Sequence, residues 1–178
     1  MSRIAQIALL AATAVYGIVI PTSTLPPVFC DHIILSPPVV AITNGTAVTG
    51  LELYGTSTSA SLQASGYKQG WGFGNGGVAV DDQCHSLWFN IGESVYSYKP
   101  LSFAFDNQIS TNWIGGSTSP LVAGTTAEYT ATSTFLACPS AVVGVWALYL
   151  QTGSDLPTGL VCATTQLQLG PSTLISFT

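Results

Sequence analysis

From Val39 onward the apolar residues come in short runs, each ending within a few positions at glycine, proline, asparagine, serine or threonine. Several runs alternate with a period of two. Leu51 and Leu53 flank Glu52, Leu87 and Phe89 are interleaved with Trp88 and Asn90, and Leu167 and Leu169 with Gln166 and Gln168. That period puts every second side chain on one dry face and marks a half-buried strand. It predicts strands over 39–43, 47–54, 78–80, 86–91, 95–98, 101–105, 127–131, 135–137, 142–150, 160–169 and 173–177. Asn44-Gly45 is a turn signal between the first two. Residues 65–77 are glycine-rich and read as a long loop carrying Trp71 and Phe73. No window after the N-terminal segment shows a helical stripe, and the Glu, Lys and Arg that favour helices are scarce. The pattern predicts one all-β domain over 39–178, an antiparallel β-sandwich or a barrel-like relative of it, stapled by disulfides.

The N-terminus has a different character. Arg3 precedes an uncharged apolar run from Ile4 to Ile20, and Pro21-Thr22-Ser23-Thr24 marks its exit. The run approaches the ~20 residues that span a bilayer. Its Ala, Thr and Gln content, with no polybasic flank, instead favours a secretory signal peptide over 1–17, cleaved after Ala14 or Gly17. An extended, proline-rich lead-in follows over 18–38. About 160 residues would remain, enough for one core, with no membrane association expected after the signal is removed.

Charge narrows the choice of partner. Charged residues make up 6% of the chain, against the usual ~25%. Lys68 and Lys99 are the only bases after Arg3, and the formal net charge is -5. Nucleic acid is excluded, because phosphate neutralisation needs several Lys or Arg. A surface built from hydroxyls and amides suits an acidic, polysaccharide-rich extracellular matrix.

Cys30, Cys84, Cys138 and Cys162 all lie beyond the signal. An even count in an exported chain implies two disulfides, and three pairings are open. Cys30–Cys84 with Cys138–Cys162 is preferred, since separate loops suit a two-layer sheet. The second loop would contribute roughly 3 kcal/mol in the chain-entropy model. No Cys-x-x-Cys occurs and His32 and His85 are the only histidines, so neither a metal nor a cofactor is expected.

Asp81-Asp82-Gln83-Cys84-His85 is the densest polar cluster. A hydrolase would pair Asp82 with His85; a surface turn with aspartates bonding nearby backbone explains it more simply. Asp31-His32 reads the same way. Glu52, Glu93, Asp106, Glu128 and Asp155 are scattered singly, and no Gly-x-Ser-x-Gly elbow occurs. Trp71, Trp88, Trp113 and Trp146, with Tyr54, Tyr67, Tyr96 and Tyr98, offer apolar faces with polar edges that suit sugars. Trp146 belongs with the core, while Trp71 and Trp113 sit among Gly, Ser and Asn and are the candidates for exposed carbohydrate contact, unless they cap the sandwich end. Asn44-Gly45-Thr46 is a glycosylation sequon in an expected turn.

Phe135-Leu136-Ala137-Cys138-Pro139 is followed by a strand centred on Trp146, the loop Leu156-Pro157-Thr158-Gly159, and Cys162-Ala163. With a signal and the earlier Gly50-Leu51-Glu52-Leu53-Tyr54, this order resembles the fungal phialide-associated cell wall proteins and their IgE-binding, allergen-like relatives. The block from Thr134 to Leu169 carries most of the resemblance. Ser133-Thr134 stands where that family has glycine before the aromatic, and Ala163-Thr164-Thr165 replaces its Leu-Gly-Phe. The resemblance implies the Cys138–Cys162 bridge and no catalytic residue. The expected function is thus a secreted, non-catalytic structural protein of the fungal cell wall or its surroundings, partnered by wall polysaccharide or wall proteins. The alternatives are a lectin-like module using Trp71 and Trp113, and a secreted hydrolase.

Overall fold

Period-2 alternation and turn-marked breaks leave the chain little choice but strands. The computed structural model describes residues 37–56, 58–64, 69–74, 76–82, 85–105, 112–116 and 118–170, with backbone alone at 70, 74, 81, 82, 85 and 86. The expected signal peptide (1–17), the lead-in up to residue 36, the Cys30–Cys84 pairing and the strand at 173–177 lie outside the described residues. In chain order the strands are β1 (Val39–Ala41), β2 (Glu52–Thr56), β3 (Ser59–Gln63), β4 (Gly70–Gly74), β5 (Gly77–Asp82), β6 (His85–Ile91) and β7 (Tyr98–Ala104). They continue as β8 (Trp113–Ile114), β9 (Val122–Ala123), β10 (Phe135–Pro139), β11 (Trp146–Gln151), β12 (Ala163–Thr165) and β13 (Leu167–Leu169). All the pairings are antiparallel. The fold is all-β, as the alternation predicts, and its sheet does not close into a barrel.

β11 is the branch point. One of its edges pairs along its length with β10, which in turn pairs with β12. The other edge is shared: Trp146 and Ala147 face β3, whereas Tyr149, Leu150 and Gln151 face β7. Two sheet halves therefore leave β11, one running β3-β2-β1-β13 and the other β7-β6-β5-β4. Apolar residues from both halves belong to one core, including Leu53 and Leu62 from the first and Leu87, Phe89 and Phe103 from the second.

Aromatic rings tie the second half to β10. Trp71 meets Phe103 edge-on at 5.8 Å, Phe103 stacks on Phe89 at 4.8 Å, Phe89 on Trp113 at 4.8 Å, and Trp113 on Phe135 at 6.3 Å. Each such pair adds about 0.5–1.5 kcal/mol beyond the area it buries. Phe103 also presses on Gly55 of β2, where a Cβ would lie 2.5 Å from the ring. The buried Gln69 amide closes the same spot, accepting from Gly55 N–H (2.9 Å) and donating to Gly55 C=O (2.8 Å). It satisfies β2 backbone that β1, paired with β2 only at Val40↔Glu52, does not reach.

The structure corrects several expected elements. Residues 70–74 form β4 and not part of a long loop, with Trp71 turned inward and Gly72 outward. β3, whose Ala60 and Leu62 alternate with Ser59, Ser61 and Gln63, is an additional strand. Residues 127–131 form no strand, and 142–145 are a turn that ends where β11 begins. The expected strand over 160–169 begins at Ala163 and breaks at Gln166, so β12 serves β10 and β13 serves β1. Thr43 Oγ1 accepts from the Gln166 N–H at that break (3.1 Å).

Gly55→Ala is expected to lower stability by roughly 1–3 kcal/mol, because a ring already packed against Phe89 and Trp71 cannot easily retreat from the added methyl. Urea denaturation measures it. Wild-type stability in that variant would mean the two halves are not in contact there.

Candidate functional site

Trp71 and Trp113, the candidates for exposed carbohydrate contact, are buried and present no open ring face to a sugar. Trp71 is 5% and Trp113 4% exposed. The physical reasons differ. Trp71 alternates with glycines, and the register that places Gly72 outside turns the indole into the core. Trp113 lies flat between Phe89 and Phe135. Its Nε1–H donates to the Phe89 carbonyl at 2.9 Å, where the β5–β6 ladder has ended at Ala79↔Trp88. Trp146 is partly buried against the core, as expected.

A shallow cavity of about 330 Å³ remains beside Trp113, lined by Phe73, Val78, Trp113 and Ile114 over glycine backbone at 76, 77 and 115. Among the described residues no titratable side chain lines it. The described walls can pack an apolar group and donate or accept through the backbone.

Asp82 and His85 are register partners at the end of the β5–β6 ladder, described by backbone alone. Of the carboxylates whose side chains are described, Glu128 and Asp155 have structural partners. Glu128 binds the Lys99 ammonium at 3.0 Å, and Ser94 C=O accepts from the same Nζ at 2.6 Å. Lys99 sits on the core side of β7 opposite Leu150, its side chain 10% exposed. Its stem is buried and its charge reaches the rim. Asp155 Oδ2 accepts from Ser97 N–H at 2.9 Å. Among the described residues no group of three or more His, Cys, Asp and Glu could hold a metal ion. Asn44 is exposed on a turn completed by Gly45 at φ 75°.

The outer face of β10 and β11 carries a second layer of order. Cys138 bonds Cys162 across a sequence separation of 24. Leu136 and Cys138 point away from the main core yet are as buried as Phe135 and Ala137. The chain returns over that face through 152–162, fastened by the disulfide.

Three tyrosines that the sequence did not bring together meet on the same face. Tyr98 opens β7 opposite Gln151, and Tyr149 lies opposite Pro100. Tyr96, 54% exposed, stacks on Tyr98 with ring centroids 5.2 Å apart and planes 1° apart. Tyr98 meets Tyr149 edge-on at 5.6 Å. Partial desolvation, then the neighbouring phenols and the Asp155 carboxylate, raise the Tyr98 pKa above the ordinary tyrosine value. Desolvation also raises Tyr129, with Glu128 adding and a Thr126 hydrogen bond opposing. The nearest sequence signal was the Tyr96-Ser97-Tyr98 spacing, which says nothing about Tyr149.

No protein-family model matches the chain, and neither does any curated protein or solved structure.

Folded-state phenol pKa values raised above the unfolded ones contribute stability that is complete below the unfolded pKa and is lost as pH rises through the folded one. The unfolding midpoint should therefore hold steady up to about pH 10 and fall above it. Tyr98→Phe combined with Tyr129→Phe should flatten that fall. Urea midpoints across the alkaline range, read with tyrosinate absorbance, check both.

Proposed function

We propose that this chain is a secreted, non-catalytic structural component of a fungal cell wall or the matrix around it, in contact with wall polysaccharide or wall proteins. The observation that carries the reading is the Cys138–Cys162 bond, at whose Cys138 end the side chain is fully buried. Bonds of this kind form and persist outside the reducing cytosol. The chemistry of the surface supports the same reading. Among the described residues the one base, Lys99, is buried and paired, so no exposed cation competes for water or attracts phosphate. Hydroxyls and amides cover the loops instead, as they do at Thr46 and Thr49, whose hydroxyls bond each other and the carbonyls of Thr43 and Thr46. The likeness of residues 134–169 to phialide-associated wall proteins points the same way, and Asn44 is the proposed glycan acceptor.

Expression of the full chain in a secreting fungal host, followed by fractionation and thiol trapping, tests the proposal. The expected product is exported, retained with the wall fraction and oxidised at 138 and 162. Cytosolic retention with both thiols reduced would overturn it. Replacing both cysteines by serine should lower stability by roughly 3 kcal/mol, measured by denaturation. The 152–162 segment should then become the first site of proteolysis.

A further inference from the structure

The tyrosine stack on the outer face is held far more tightly than an exposed turn requires. Ser97, between Tyr96 and Tyr98, has each of its polar groups engaged by the 152–155 segment. Its N–H donates to Asp155 Oδ2 (2.9 Å), its hydroxyl accepts from Asp155 N–H (2.8 Å), and its carbonyl accepts from Thr152 N–H (2.7 Å) and Thr152 Oγ1 (2.9 Å). Gly153 permits this approach, since a Cβ there would stand 2.7 Å from Ser97 Cβ. The Gln151 amide holds the segment from below by donating to the carbonyls of Gly153 and Asp155. The rings so fixed lie outside the main core. The half-exposed Tyr96 gains little from burial, so core stability does not account for its placement.

We propose that Tyr96, Tyr98 and Tyr149 form a binding site for a neutral polysaccharide. A pyranose stacks its apolar C–H face on the open face of Tyr96, and its hydroxyls bond the phenol oxygens and the Asp155 carboxylate. An aromatic face with a polar edge is the complement of such a ring, and a carboxylate already accepting one N–H keeps lone pairs for sugar hydroxyls. The ligand is neutral because the described residues offer no exposed cation to an anionic polymer, while the Asp155 carboxylate at the rim would repel one. The Tyr98 hydroxyl, like any phenol well below about pH 10, is protonated in the neutral range and can donate to a sugar oxygen. The clasp on Ser97 fixes the rings before a ligand arrives, which lowers the ordering cost of binding. The site deepens the proposed wall role and rests on it for the choice of polymer.

Pull-down of the full chain on insoluble β-glucan, chitin and mannan tests the site. Wild-type protein should bind at least one of the three saturably. Tyr96→Ala should weaken that binding roughly tenfold or more, with Tyr96→Phe retaining most of it. Val143→Ser, at a fully exposed residue on the β10–β11 turn, should bind as wild type does. Tyr96 is exposed enough that its loss leaves the fold intact, which an unchanged melting curve will verify. Equal binding by Tyr96→Ala and wild type would overturn the site while leaving the wall role standing. Failure of the wild type to bind any of the polymers would also overturn it, and export with wall retention would still report separately on the broader reading. A concentration-dependent dimer abolished by Tyr96→Ala, without polymer binding, would assign the patch to self-association and likewise overturn the proposal.

Discussion

The contact between the Phe103 ring and the bare backbone of Gly55 is the constraint from which the architecture follows. β11 offers one edge to two strands, and β3 and β7 must diverge from it. Divergence opens a wedge that side chains have to fill. Aliphatic residues line it, but the rings span it, from Trp71 through Phe103, Phe89 and Trp113 to Phe135. Phe103 can reach across only because β2 has no side chain at residue 55. A protein interior is packed as densely as an organic crystal, so a methyl at that point displaces the ring and, through it, the column.

With so few charges to order its surface, the chain uses covalent and hydrogen-bonded fasteners to hold its loops. The 152–162 segment is tied at one end by Ser97 and at the other by the disulfide. The 124–131 region is fixed by the Lys99–Glu128 pair and by Thr125 and Thr126 hydroxyls accepting from nearby backbone. An exposed ion pair contributes little. Lys99 differs in that its stem is buried opposite Leu150, so its single carboxylate partner satisfies a charge that water reaches only at the rim.

Much of the fold was legible because alternation and turn residues agree. Leu51 and Leu53, Leu87 and Phe89, and the β10 and β11 runs all lie in strands or against the core, and Cys138 meets Cys162. What was not legible has physical causes. β4 alternates Trp71 and Phe73 with glycines, and glycine on the outer face looks like a loop when an outward side chain is the expected signal. That misreading also made Trp71 a candidate for exposure. β3 is mostly serine and small residues, and its two inward positions, Ala60 and Leu62, are too few to stand out. The tyrosine stack depends on a clasp between residues 58 apart in sequence, which no local pattern encodes.

Gly55 and Gly153 solve the same problem on opposite faces of one sheet. Inside, the missing side chain lets an aromatic ring touch backbone; outside, it lets Ser97 settle against the 152–155 segment with all its polar groups satisfied. The outcome is an exterior aromatic group whose backbone is pinned at Ser97 and whose rings pack on one another. Flexible aromatic side chains lose rotamer entropy when a ligand immobilises them, whereas rings already fixed by their neighbours lose little. A neutral, hydroxyl-rich partner of the kind proposed gives electrostatic steering nothing to act on, so preorganised ring faces are the effective means of holding it.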